Sequence, residues 1–150
     1  RYYIRIYKTK KMNFNIWKNS IDNIEKEMAL KYFKLNEFDS PDSQGSGKNM
    51  TRDFLKKLDR ARDIANVSFK ISSGFRTAQH NISLRKQGYK ASANSSHLKG
   101  CAADIICNDS GTRQKIVNGL IQAGFTRIGI AKTFIHCDTD KDKNDAIWLY

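Results

Sequence analysis

The stretch SSHLKGCAADIIC, residues 95–107, is where the fold of this chain is decided. Its first half is small and polar and reads as a loop, closed by Gly100, whose missing side chain lets another group approach closely. From Cys101 onward it turns into a run of small and branched apolar residues. That run reads as a strand buried on both faces or nearly so. Asp104 stands inside it, and a carboxylate there is costly unless it is paired or coordinates a metal. Period-two alternation places Ala102 and Asp104 on one face, with Cys101, Ala103 and Ile105 on the other. The same rule applied to TFIHCDT, residues 133–139, sets His136 and Asp138 on one side and Ile135 and Cys137 on the opposite side. Two strands thus each present polar, ligand-type side chains out of apolar runs.

Working outward, TRDFLKKLDRARDIANVSF (residues 51–69) predicts the most regular helix. Thr51 stands at its cap, Asp53 in its first turn, and Phe54, Leu55, Leu58, Ala61, Ile64 and Ala65 form its stripe. FKISSGF (69–75) reads as a short buried strand entering a glycine turn. TAQHNISLRKQG (77–88) reads as a helix ended by Gly88. TRQKIVNGLIQAGF (112–125) is an amphipathic helix with Ile116, Val117, Leu120 and Ile121 inward and Gly124 past its end. Two short strands follow in TRIGIAKTFIHCDT (126–139), then a charged turn, DTDKDKND (138–145), then an apolar strand, AIWLY (146–150). Upstream, KYFKLNEFDSPDSQGSGKN (31–49) is irregular, with Phe33, Leu35 and Phe38 as anchors. Before it, Ile16, Trp17, Ile21, Ile24, Met28 and Leu30 recur at helical spacing. The expectation is an α+β domain: a small, mostly antiparallel sheet packed with helices, with the polar site on the sheet face. Residues 1–30 are read as a lead-in, partly disordered or tag-like, and residues 31–150 as a single domain.

The 150 residues carry a formal net charge of +12 and a pI near 9.7, which predicts attraction to polyanions, an anionic cell-wall polymer among them. The lysines are spread along the chain, and no zinc-finger, basic-zipper or RRM pattern is present, so no specific nucleic acid is expected. No run approaches the roughly 20 apolar residues of a membrane span. The basic N-terminus lacks the apolar core of a signal peptide, which points to synthesis in the cytoplasm. Cys101, Cys107 and Cys137 form no CxxC pair and read as small buried hydrophobes made in a reducing compartment. A monomer is expected.

Of the three histidines, His80 reads as a surface residue of its helix. His97, Asp104 and His136 together would make a three-ligand N/O site with one position open, the pattern of catalytic zinc. An Asp–His hydrogen-bonded pair stabilising a core is the alternative. Residues 95–104 also resemble the S-x-H-x-x-G-x-A-x-D motif of the zinc D-alanyl-D-alanine peptidases, a family that includes D,D-carboxypeptidases, D,D-dipeptidases and phage L-alanyl-D-glutamate endopeptidases. SGFRT (73–77) and GFTRIGIAKTFIHCDTD (124–140) are similar to its other two blocks, in the same order, so the resemblance runs from about Tyr32 to Tyr150.

The resemblance implies one Zn2+ held by His97, Asp104 and His136. It implies Arg76 binding and polarising substrate, and Ser95 lining the pocket. Zinc in such a set lowers the pKa of its water to about 7. Many members of the family carry a carboxylate three residues before the last histidine; here that position is Thr133. Asp138 is the nearest acid, placed either as the catalytic base or as an acceptor orienting a histidine. The implied activity is hydrolysis of bonds involving D-amino acids in peptidoglycan peptides, as carboxypeptidase or endopeptidase. A phage-type endolysin, released to the cell wall or carried on a virion, is the context the resemblance suggests. The alternative is a non-catalytic, zinc-containing module of the same fold that binds wall or another anionic partner. A cysteine hydrolase is disfavoured because Cys137 faces away from His136.

Overall fold

The computed structural model describes Lys18, residues 29–89 and residues 91–150. Apart from Lys18, the lead-in up to Met28 lies outside the described residues. Among the described residues five strands form one sheet: β1 (Ile71–Ser73), β2 (Ala102–Ile106), β3 (Arg127–Ile130), β4 (Phe134–Asp138) and β5 (Ala146–Leu149). They pair in the order β1-β2-β4-β3-β5. Every pair is antiparallel except β3 with β5, which is parallel. The α+β class and the mostly antiparallel sheet follow the alternation read from the sequence.

Within residues 29–150 the helices described are α1 (Arg52–Ala65), α2 (Ala78–Lys86) and α3 (Ser110–Gln122), with 3-10 turns at Leu35–Phe38, Ser46–Asn49 and Ser96–Lys99. No helix among the described residues is long and apolar enough to cross a membrane. Phe54, Leu55, Leu58, Ala61 and Ala65 of α1 are buried as the stripe requires. They join Ile105, Ile116, Leu120, Ile128, Ile135 and Cys137 in one apolar cluster. The three cysteines are free and buried. The odd positions of β2 and β4 (Ala103 and Ile105; Ile135 and Cys137) therefore face this cluster, and the even positions face away from it.

Four expectations need correction. β1 is an edge strand with Ile71 and Ser73 half-buried and Ser72 exposed, not a buried one. Ile121 is 49% exposed: the buried face of α3 is centred on Ile116, Gly119 and Leu120, and one residue further turns a side chain about 100° off that face. Leu35 is likewise exposed, leaving Phe33 and Phe38 as the anchors. Thr51 holds the N-cap position of α1, but its side chain accepts no capping bond. Its amide instead donates to Gly100 O at 2.7 Å. Gly100 has φ +66, and a Cβ there would lie 2.1 Å from Asn49 O, so only glycine permits the approach.

Helices α1 and α3 cross closely at Gly119, where a Cβ would fall 2.5 Å from Ala61 O and 2.8 Å from Ala65 Cβ. Alanine gains about 1 kcal/mol over glycine in helix propensity, but forcing the helices apart costs about 1–3 kcal/mol. Gly119→Ala is expected to come out destabilised in urea unfolding, with an unchanged m-value.

Candidate functional site

The register of the sheet sets a single row of residues across all five strands. Ser73 stands opposite Asp104, Asp104 opposite His136, His136 opposite Gly129 and Gly129 beside Trp148. All lie on the face turned away from the apolar cluster. Paired residues in a sheet have Cβ atoms about 5 Å apart, so Asp104 and His136 meet without help from any loop. His136 Nδ1 lies 2.8 Å from Asp104 Oδ1.

His97 reaches the row from the turn Ser96–Lys99. Ser95 caps that turn by accepting from the His97 amide, and Gly100 ends it. The residues after β1 grip His97 on two sides: its Nδ1 donates to Gly74 O at 2.7 Å, and the Arg76 amide donates to His97 O at 3.1 Å. With Nδ1 so engaged, Nε2 is left facing Asp104 Oδ1 at 3.3 Å. One nitrogen from each imidazole and one carboxylate oxygen lie within 4.8 Å of one another. Two neutral imidazoles and a carboxylate are the donor set that zinc favours where one position is kept open, so these residues fit such an ion.

Asp104 is 9% exposed. Burial alone would raise its pKa, but the His97 and His136 rings outweigh that and hold it well below the usual carboxylate range. Arg76 adds a contact from Nη2 to Asp104 Oδ2 at 3.2 Å, and its Nε donates to Ser73 Oγ. Burial pushes the His97 pKa down, which keeps a ring nitrogen free of its proton. For His136 the same burial is overcome by hydrogen bonds to Asp104 and Asp138, and its pKa is raised.

Asp138 shares a strand face with His136, as alternation required, but it stands behind the ring. Its Oδ2 accepts from His136 Nε2 at 3.0 Å. Its Oδ1 accepts from Arg127 Nε at 2.8 Å and from the Asp140 amide at 3.0 Å. The side chain is 1% exposed. Thr133 is exposed in the turn before β4 and does not line the cavity. His80 is half-buried on α2 and also outside the cavity.

The cavity over this row has a volume of about 550 Å3. Arg76, Ser95, His97, Asp104, His136 and Asp138 all line it, so every site residue read from the sequence is gathered in one place. The sequence reading missed its other wall, where Trp148 and Tyr150 approach the His136 ring with centroids 5.5 and 6.5 Å away. It missed Arg127, whose guanidinium lies over Trp148 at 5.2 Å. It also missed Asp140, which accepts from Ser96 Oγ at 2.9 Å and Lys99 Nζ at 2.8 Å and so clasps the His97 turn. The signal for Arg127 was its alternation with Ile128, which the register with Asp138 makes meaningful only once the hairpin is known.

The Peptidase M15 family model matches residues 29–138. The crystal structure of the L-Ala D-Glu endopeptidase ChiX of Serratia marcescens is similar in fold, with a TM-score of 0.53 at 17% sequence identity. The likeness covers 62% of this chain and 82% of that one. The chain matches no curated protein.

Burial would raise the Asp140 pKa, but Lys99 and Ser96 outweigh it and bring it from 3.8 down to about 2. A depressed folded-state pKa gives stability that is present above the unfolded value and lost as pH falls through the folded one. Asp140→Asn is therefore expected to flatten the loss of stability between pH 4 and 2 and to lower stability at pH 7. Acid titration followed by circular dichroism reads both.

Proposed function

The chain belongs to the Peptidase M15 family, and from that footing we propose that it is a zinc-dependent peptidase acting on the stem peptides of peptidoglycan. The observation that carries this reading is the convergence of His97, Asp104 and His136 at the floor of a cavity that also receives Arg76 and Ser95. One zinc ion held by the three residues would supply Lewis acidity and a water that is nucleophilic near neutral pH. Two histidines presented by hydrogen bonds to Gly74 O and Asp138 offer Nε2 of His97 and Nδ1 of His136. Arg76 keeps a guanidinium beside the cluster, where it can bind a substrate carboxylate or stabilise charge growing on the scissile carbonyl oxygen. Ser95 borders the same space.

We assign Asp138 the orienting role, because both its oxygens are occupied behind His136. The fold of the Serratia endopeptidase supports a peptide substrate that contains a D-residue. The net charge of +12 supports adsorption to an anionic wall, and a phage-type lysis role at the wall is the setting we infer.

One observation favours a second reading, a zinc-holding module that binds wall peptide without fast turnover. Among the described residues, the carboxylates lining the cavity are Asp104 and Asp138, and both are committed to other partners.

Wild type is expected to hold about one zinc per chain, as three protein ligands and one open position imply, and to release peptide from purified peptidoglycan. His136→Ala is expected to lose both. Zinc retained with no peptide released would select the second reading, and absence of zinc in wild type would overturn both. Arg76→Gln is expected to keep its zinc while kcat/KM falls by about 10²–10³-fold. Mass analysis of the released fragments distinguishes carboxypeptidase from endopeptidase cleavage.

A further inference from the structure

We propose that Arg127 is a positioning residue for His136, acting through Asp138; this rests on the zinc-site reading above. Register places Arg127 directly opposite Asp138 on the hairpin β3–β4, on the same sheet face as the ligand row. Its Nε donates to Asp138 Oδ1 at 2.8 Å, and the other oxygen of that carboxylate receives His136 Nε2 at 3.0 Å. The guanidinium is itself held at two further points, by a hydrogen bond from Nη1 to Asn144 O and by the Trp148 ring at 5.2 Å.

The arrangement decides which nitrogen of His136 is offered to the cavity. As long as Asp138 keeps its plane, the Nε2 hydrogen has a fixed acceptor and Nδ1 is the nitrogen turned toward Asp104, 2.8 Å away. Asp138 has few other restraints. It lies at the end of β4, and besides His136 and Arg127 its side chain receives only the Asp140 amide among the bonds described. A carboxylate that is 1% exposed also requires a partner cation in a dry setting, and Arg127 is the cation in contact with it. Arginine suits the place because its planar fork can bind a carboxylate, a carbonyl and an aromatic face at once, which an ammonium cannot do.

The test measures zinc affinity by competition with a chromophoric chelator and the visible absorption of the cobalt(II)-substituted protein. The samples are wild type, Arg127→Ala, Arg127→Lys and Gly119→Ala, the last being destabilised far from the site. Loss of a group that orients a metal-binding histidine costs about 10–100-fold in affinity, and that loss is expected for Arg127→Ala together with a changed cobalt spectrum. Arg127→Lys is expected to fall between it and wild type, and it carries the test alone if the alanine variant does not fold. Gly119→Ala is expected to be less stable with affinity and spectrum unaltered.

Arg127 variants that lose stability but keep wild-type affinity and an unchanged cobalt spectrum would overturn the proposal, leaving the zinc-site reading intact. Wild type that takes up neither metal would overturn both.

Discussion

A carboxylate ion placed inside a sheet is the constraint from which the rest of the site follows. Asp104 is held on a strand whose neighbours Ala103 and Ile105 are fully buried, where an unpaired charge would be strongly destabilising. The chain answers with two imidazoles and a guanidinium, each delivered by a different part of the fold. His136 comes from the paired strand, His97 from a glycine-ended turn, and Arg76 from the segment leaving β1. Each of those deliveries explains an oddity elsewhere. Gly100 has a positive φ so that the His97 turn can end against Asn49 and Thr51. Gly74 carries no side chain because a Cβ would lie 2.6 Å from Phe38, and its carbonyl must still reach His97.

The electrostatic neighbourhood is layered outward from that ion. Asp138 balances His136, Arg127 balances Asp138, and Asp140 with Lys99 and Lys143 ties the next turn of chain to the His97 loop. Charges alternate in sign along this path, so each buried group finds its opposite within hydrogen-bond reach. The apolar side of the same strands contributes cohesion through Ile135, Cys137 and Ile105 without any polar obligation. One sheet therefore separates two environments, and the period of two in β2 and β4 is the device that keeps them apart.

That period was legible in the sequence, and with it the fold class, the grouping of Asp104 with His136, and the shared face of His136 and Asp138. The helices were legible where the apolar stripe was wide, as in α1. Their edges were less so: Ile121 is apolar but falls off the buried face of α3, and Thr51 has capping chemistry while its neighbourhood uses only its backbone. Partners brought by register were not legible. Arg127 looks like any strand arginine until the length of the β3–β4 turn sets it opposite Asp138. Trp148 looks like a core aromatic until β5 is seen to add in parallel to β3, a pairing that no local pattern announces. The role of Asp138 was open for the same reason, since alternation says which face a side chain takes but not whether it stands before or behind its neighbour.

The parallel addition of β5 to β3 at the sheet edge gives the cavity its outer wall. The residues that meet Asp104 come from β4, the turn Ser96–Lys99 and the segment after β1, whereas the aromatic wall rides on β5, the edge strand on the far side of the sheet from β1. A Cβ at Gly129 would come within 2.6 Å of the Tyr150 ring and 2.7 Å of Trp148, so this single bare position lets the wall lean over the centre. That edge is no detached rim: Asn144 O accepts from Arg127, Trp148 lies against its guanidinium and Asp140 holds the His97 turn, so one segment shapes the mouth and braces the centre. A change of outline at this mouth would therefore be felt at His97 and His136, because the shape of the opening and the firmness of the centre are set by the same stretch of chain.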